Sequence, residues 1–175
     1  MNLLILCTSL NPSSKSRLLA EAASAALTTE GVEHTTLDLR DLPLPLCDGG
    51  AAYGHPNTAK AGEIIKAADG IIIASPIYNF DVNAALKNLI ELTGKGAWAN
   101  KTVAFLNSAG GHSSYMSVMA VANSLMLDFR CVIVPRFVYA TPADFDDTGI
   151  SNDGVRDRVA ACALATAELT RQRSD

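Results

Sequence analysis

The strongest constraint on the fold is a regular alternation along the chain between short strand-like runs and segments with helical periodicity. Five runs have the length and apolar or β-branched content of strands, at 3–7, 34–39, 70–74, 102–106 and 131–135. Apolar residues recur at helical spacing in five other segments, at 17–29, 61–68, 82–94, 115–127 and 155–169. This alternation predicts repeated βα units. All the runs except the second are apolar on both faces, as in a parallel sheet covered by helices.

The predicted fold class is therefore α/β, with a doubly wound, five-stranded parallel sheet in the order 2-1-3-4-5 and helices on both faces. The chain has 175 residues and is 49% hydrophobic, which suits one globular domain over 1–175. No repeat, linker or low-complexity segment interrupts the pattern.

Charge and cysteine content exclude several classes of function. The net charge is −4 and the basic residues are scattered, so neither nucleic acid nor an anionic membrane is an expected partner. The first ten residues, MNLLILCTSL, are better interpreted as a strand than as a signal peptide, and no run is long enough to span a membrane. The four cysteines form no C-x-x-C pair and no metal spacing. We therefore expect reduced thiols, no metal and a cytoplasmic location.

Three unusual loops follow predicted strands 1, 3 and 4, at 9–17, 75–81 and 107–114. In a doubly wound sheet, ligands bind beyond the carboxyl ends of the strands where the winding direction switches. We expect these three loops to meet there and to form the functional site.

The first loop, SLNPSSKSR, has the composition of a phosphate site. Four serines and Arg17 surround the start of a predicted helix, where free amides and the helix dipole already favour an anion. The alternative is that Ser13 or Ser14 serves only as a helix cap. A nucleoside triphosphatase motif is absent, and the G-x-G-x-x-A match at 94–99 follows a helix, which is the wrong context for dinucleotide binding.

The second loop suits a flat ligand with polar edges, such as a flavin ring. Pro76 stiffens the backbone, Tyr78 offers an aromatic face, and Asn79 tolerates a strained conformation in which amides point at the ligand. The alternative is that Tyr78 and Phe80 are core or subunit-contact residues.

The third loop, SAGGH at 108–112, lets the backbone approach a ligand closely, because glycine has no Cβ. Donors at the following helix start would stabilise negative charge on a reduced ring. His112 has neither His34 nor His55 near it in sequence, so we expect a capping or ring-edge role rather than catalysis.

These motifs, in this order, resemble the NADPH-dependent FMN reductase family of flavodoxin-like oxidoreductases. The matching patterns are S-x-N-x-S-S-x-S-R at 9–17, S-P-x-Y-N at 75–79, A-L-K-N at 85–88 and S-x-G-G at 108–111. The resemblance implies a flavodoxin-like fold and bound FMN that is reduced by NADPH or NADH. It also implies reduction of free flavin, quinones or similar small acceptors, and assembly as a homodimer or homotetramer.

The resemblance also implies roles for individual residues, and none of them is a catalytic side chain. The first loop would hold the phosphate, the second the isoalloxazine, and the third its pyrimidine side. The implied cofactor-binding residues are Ser9, Asn11, Ser14, Ser16, Arg17, Pro76, Ile77, Tyr78, Asn79, Phe80, Ser108, Gly110, Gly111 and His112. Asn11 stands where family members often have arginine, Ile77 where an acid is common, and Phe80 near a common glycine.

Two other functions stay open at this point. A flavodoxin-type electron carrier would share fold and cofactor but serve a protein partner, usually through a strongly acidic face. A binding module for another phosphorylated ligand would need only the first loop. The long segment 40–56 contains prolines and glycines, and we expect a semi-ordered flap over the flavin edge or a partner subunit.

Overall fold

The computed structural model describes residues 1–174, in which nine strands and five α-helices alternate largely as expected. The strands are β1 Leu3–Cys7, β2 His34–Asp38, β3 Gly70–Tyr78, β4 Asp81–Val82, β5 Thr102–Ser108, β6 Val132–Ile133, β7 Val138–Ala140, β8 Phe145–Asp146 and β9 Gly149–Ile150. The helices are α1 Lys15–Thr29, α2 Pro56–Ala67, α3 Ala84–Trp98, α4 Met119–Phe129 and α5 Asp153–Ser174.

The main sheet is parallel in the order β2-β1-β3-β5-β6, which confirms the predicted order 2-1-3-4-5. β7 also pairs with β5, so two short strands share the fifth position. The single fifth strand predicted at 131–135 was therefore wrong in extent, because the chain leaves the sheet between Ile133 and Val138.

Two hydrophobic cores lie on opposite faces of the sheet, because successive side chains of a strand point to alternate faces. In β1, Leu4 and Leu6 face the core under α2, α3 and α4. Leu3 and Ile5 face the core under α1 and α5. Both faces of the central strands are buried, which explains their continuous apolar runs.

β3 is longer than the predicted run 70–74. It continues through the second loop, because Ser75 pairs with Asn107 and Pro76 with Ser108 on β5. Proline has no amide hydrogen to donate. On the edge of β3 that faces β1, Pro76 causes no loss of a hydrogen bond, because the pairing with β1 ends at Ala74. The strand then reverses through a two-residue turn, Asn79 and Phe80, into β4.

Other boundaries also differ from the periodicity. As predicted, Gly94 ends the main part of α3 with a non-helical backbone at φ 59°, but a short helical part that was not predicted continues from Lys95 to the buried Trp98. The helix expected at 115–127 is two elements, a 3₁₀ segment His112–Val118 followed by α4. The small hairpin β8–β9 was not predicted.

Among residues 1–174, no helix has the length and apolar character needed to cross a membrane.

Candidate active site

The three predicted loops meet in one pocket beyond the carboxyl ends of β1, β3 and β5. A fourth segment, which follows β7, closes one side. The lining residues are Ser9, Asn11, Ser13, Ser14, Lys15, Pro76, Ile77, Tyr78, Ser108, Ala109, Gly110, Thr141, Pro142 and Phe145.

A buried polar network fixes the first two loops relative to each other. The Asn83 side chain, 5% exposed, donates from Nδ2 to the Thr8 carbonyl at 2.7 Å. Its Oδ1 accepts from Thr8 Oγ1 at 2.8 Å and from Ser75 Oγ at 3.0 Å. One amide thus joins the ends of β1 and β3 to the start of α3. Because each buried polar atom in it has a partner, the network specifies one geometry for the strand ends from which the lining residues Ser9 and Pro76 follow.

The first loop is preorganised by its own hydroxyls and amides. Ser14 caps α1, with its Oγ accepting from the Arg17 amide at 3.3 Å. Asn11 Oδ1 accepts from the Ser13 amide at 2.9 Å, in an Asx turn. Ser14 is therefore both the predicted cap and a pocket residue, and the amino terminus of α1 opens on the pocket.

Two first-loop residues of the predicted set lie outside the lining. Ser16 is 1% exposed, and its Oγ lies 2.9 Å from Ser14 Oγ, where it supports the cap. Arg17 points to β2, where it forms an ion pair with Asp38. Arg40 Nη2 lies 3.5 Å from the same Asp38 oxygen.

The second loop presents backbone and one ring to the pocket. Pro76 and Ile77 are wall residues, and Tyr78 stands at the rim with 54% of its surface exposed. Asn79 and Phe80 form the adjacent hairpin turn, with φ 51° and 66°, and do not line the pocket. The strained backbone predicted at Asn79 is present, and it extends to Phe80.

The third loop leaves open space over its glycines. A Cβ placed on Gly110 or Gly111 would meet nothing within 4 Å, so crowding within the protein does not demand glycine there. Gly110 lines the pocket, whereas Gly111 and the exposed His112 lie beyond it. The Tyr139 hydroxyl donates to the Gly111 carbonyl and holds this loop against β7.

Sequence reasoning missed the wall that follows β7. Thr141, Pro142 and Phe145 line the pocket from this segment. Asp144 fixes the wall by accepting from the Thr141 amide at 2.7 Å and from Thr141 Oγ1 at 3.1 Å. The hydrogen bond from the Thr141 amide is the largest factor that lowers the pKa of Asp144. The T-P-x-D pattern at 141–144, a helix-start signature, was the available signal.

The pocket residues fit FMN in chemistry. The first loop supplies buried hydroxyls at a helix amino terminus and the cationic Lys15, which suit a phosphate. The neighbouring ends of β3 and β5 supply a polar backbone edge, and the space over Gly110 is what a flat ring would fill.

Comparison with known proteins gives the same assignment. The family model of the NADPH-dependent FMN reductases matches residues 1–146. The chain belongs to this family. The prediction of an oxidoreductase that uses FMN and a nicotinamide nucleotide is thereby confirmed, and the flavodoxin-type carrier is not supported.

Individual relatives of this NADPH-dependent FMN reductase family member are moderately similar. An NAD(P)H-dependent FAD/FMN reductase of Geobacillus thermodenitrificans is 30% identical over 140 residues, which cover 79% of this chain and 76% of the relative. An NAD(P)H:quinone oxidoreductase of Solanum tuberosum is 29% identical over 174 residues, covering 94% and 90%. The solved NAD(P)H:(acceptor) oxidoreductase of Paracoccus denitrificans has a TM-score of 0.78 at 15% identity, covering 98% and 97%, which shows the shared fold.

Proposed function

We propose that this pocket, within a single domain over 1–175, binds FMN and supports hydride transfer from NADPH or NADH to free flavin, a quinone or a similar small acceptor. The observation that carries the proposal is the meeting of a hydroxyl-rich helix start with the ends of β3 and β5 in one pocket. Bound FMN supplies the redox chemistry, and the protein supplies binding, orientation and electrostatics.

The first loop is the proposed phosphate site. Ser9 and Ser14 are buried at 3% and 7% exposure, so their hydroxyls are held in place before a ligand arrives. The Asn11 side chain is held by its hydrogen bond with the Ser13 amide, so it fixes the shape of the loop and adds no charge to the site. Ser16 and Arg17 then act by supporting the cap and the end of β2.

The ring site is proposed along Pro76, Ile77 and Tyr78 on one side and Ser108 to Gly110 on the other. Backbone groups at the end of a paired strand are rigid, so they can orient the edge of a ring without reorganisation. Asn79, Phe80, Gly111 and His112 would border the ring from outside this lining, and none of them is needed as an acid or base.

We further propose that a second copy of this chain covers the rim. Half-exposed apolar side chains surround it, with Tyr78 at 54%, Phe80 at 57%, Tyr115 at 50%, Met116 at 53% and Met119 at 37%. β4 packs against the 3₁₀ segment and α4, so these side chains are on adjacent elements. An exposed apolar patch next to a ligand pocket is typical of a subunit contact. Sedimentation velocity of wild type and Met119→Glu tests this, with a monomeric wild type as the contradicting result.

A cytoplasmic location is also proposed. All four cysteines, Cys7, Cys47, Cys131 and Cys162, are unpaired, and this is usual in a reducing compartment.

Anaerobic reduction tests the function. The purified protein should bind FMN, and NADPH or NADH should bleach the bound flavin in a fast phase without accumulating semiquinone. Quinone or free FMN should then restore the colour. Absence of FMN binding, or bleaching by neither nucleotide, would contradict the proposal. If FMN binds and is bleached but no small acceptor restores its colour, only the proposed class of acceptor would be contradicted.

A further inference from the structure

The charge that faces the pocket is not where the first-loop pattern suggests. Arg17 is engaged with Asp38, whose side chain is 6% exposed and is also shared with Arg40. Releasing Arg17 toward a ligand would weaken the pairing of this buried carboxylate, which is costly. Residues two positions apart point to different sides of a helix, so Arg17 is also separated in direction from Lys15.

Lys15 is the one charged residue among those described residues that line the pocket. It is the first residue of α1, and its Nζ lies 5.2 Å from the centre of the Phe145 ring, within the range of a cation–π contact. Phe145 itself lines the pocket from β8. The ring therefore places an ammonium group at the wall of the pocket that Ser13 and Ser14 also line.

The carboxylates on either side of Phe145 in sequence have hydrogen-bond partners of their own, and Asp147, which lines a neighbouring cleft with Lys15, forms no ion pair with it. Asp146 Oδ1 accepts from the amide and the hydroxyl of Thr148, at 2.7 and 2.6 Å. Asp144 accepts from Thr141 and from Asn152. Lys15 accordingly has no ion pair among residues 1–174.

We propose that Lys15, rather than Arg17, supplies the positive charge for the FMN phosphate, and that Phe145 positions its ammonium. The inference rests on the proposed FMN site. An ammonium on a flexible stem can move from the ring to a phosphate oxygen while staying near both. Arg17 instead stabilises the end of β2, through Asp38.

Parallel titrations with FMN and riboflavin separate the phosphate from the ring, because riboflavin lacks only the phosphate. Lys15→Met should weaken FMN binding by about 10- to 100-fold, the usual value of a charge-assisted hydrogen bond, and leave riboflavin affinity within about 2-fold. Lys15→Arg should restore most of the FMN affinity. Phe145→Leu should lower FMN affinity by about 2- to 5-fold, as expected for a cation–π contact.

Arg17→Met is the rival variant, and Lys60→Met is the matched control for loss of one charge at an exposed lysine. Arg17→Met should change FMN affinity less than Lys15→Met and should lower the urea midpoint of unfolding. Lys60→Met should change neither affinity. If Arg17→Met lost the preference for FMN over riboflavin as much as Lys15→Met, or if Lys15→Met kept it, the inference would be overturned. A wild type that binds neither flavin would instead remove the proposed function itself.

Discussion

Phe80 has a backbone conformation that is unfavourable for a bulky side chain. It is the second residue of the two-residue turn between Tyr78 and Asp81, and its φ of 66° is in the left-handed region. A type I′ turn needs positive φ at both central residues, which explains why asparagine is at the first position here and why glycine is the usual residue at the second. The left-handed conformation costs about 1–2 kcal/mol for a residue with a Cβ. Such strain persists where a side chain has a role, here the proposed contact with a second copy.

Phe80→Gly should therefore raise the free energy of unfolding by about 1 kcal/mol, because glycine adopts this conformation without steric cost. Asn79→Gly should have a smaller effect, since asparagine already tolerates the region. Urea denaturation at fixed protein concentration measures both variants. A lower urea midpoint for Phe80→Gly would show that the ring contributes more to folding than its backbone costs.

Asn83 illustrates a second kind of residue effect, in which one buried amide controls the geometry of a site. Asn83→Ala removes three hydrogen bonds and takes from the Thr8 carbonyl the Asn83 donor, while the Thr8 and Ser75 hydroxyls keep their bonds to the Ala74 and Pro76 carbonyls. We expect a loss of about 3 kcal/mol in unfolding free energy, together with weaker FMN binding. Asn123→Ala, at an exposed asparagine of α4, is the control. An Asn83→Ala protein with unchanged stability would contradict the network.

At the scale of elements, the segment 40–56 is attached to α3 and contributes no residue to the pocket lining. Asn88 on α3 accepts from the Cys47 amide at 2.8 Å and donates to the Pro45 carbonyl at 2.9 Å. Leu42 and Ala52 are buried, and no residue of 40–56 is in the pocket lining. The expectation of a flap over the flavin edge or a partner subunit stays a prediction.

Asn88→Ala should accelerate proteolytic cleavage within 40–56 by about 30-fold, because two hydrogen bonds worth about 1 kcal/mol each restrain this segment. Lys87→Ala, on the same helix and in an exposed pair with Glu91, should leave the rate unchanged. Limited proteolysis followed by mass spectrometry locates the cuts. Cleavage at equal rates in both variants would show that the hydrophobic contacts alone hold the segment. Protection by added FMN would support the flap.

At the scale of the whole molecule, the core under α1 and α5 contains an ionisable group, Cys162. Its side chain is 2% exposed, and burial raises the thiol pKa from 9.0 to about 12. The unfolded chain releases this proton at a lower pH than the folded protein does. Its contribution to stability is therefore complete below about pH 9 and is lost as pH rises toward 12.

The unfolding free energy should therefore fall with pH more steeply in wild type than in Cys162→Ala. The difference in slope should be about 1.4 kcal/mol per pH unit above pH 9. Burial also lowers the pKa of Lys101 and raises the pKa values of Cys7 and Cys131. Both proteins contain these groups, so their contributions cancel in the comparison. Urea denaturation between pH 8 and about pH 11 provides the measurement. If the unfolding free energies of the two proteins fell in parallel with pH, the Cys162 thiol would be excluded as the source of this pH dependence.

The sequence by itself determined the α/β class, the strand order and the meeting of three loops at one edge, because apolar periodicity reports which faces are buried and parallel strands end on the same side. Only the tertiary structure decided the length of β3, since Ser75 and Pro76 become strand residues by pairing with Asn107 and Ser108. It also turned Arg17 away from the pocket, through an acid 21 positions along the chain, and brought Phe145 to Lys15. Those outcomes depend on partners far apart in sequence, which local patterns do not encode.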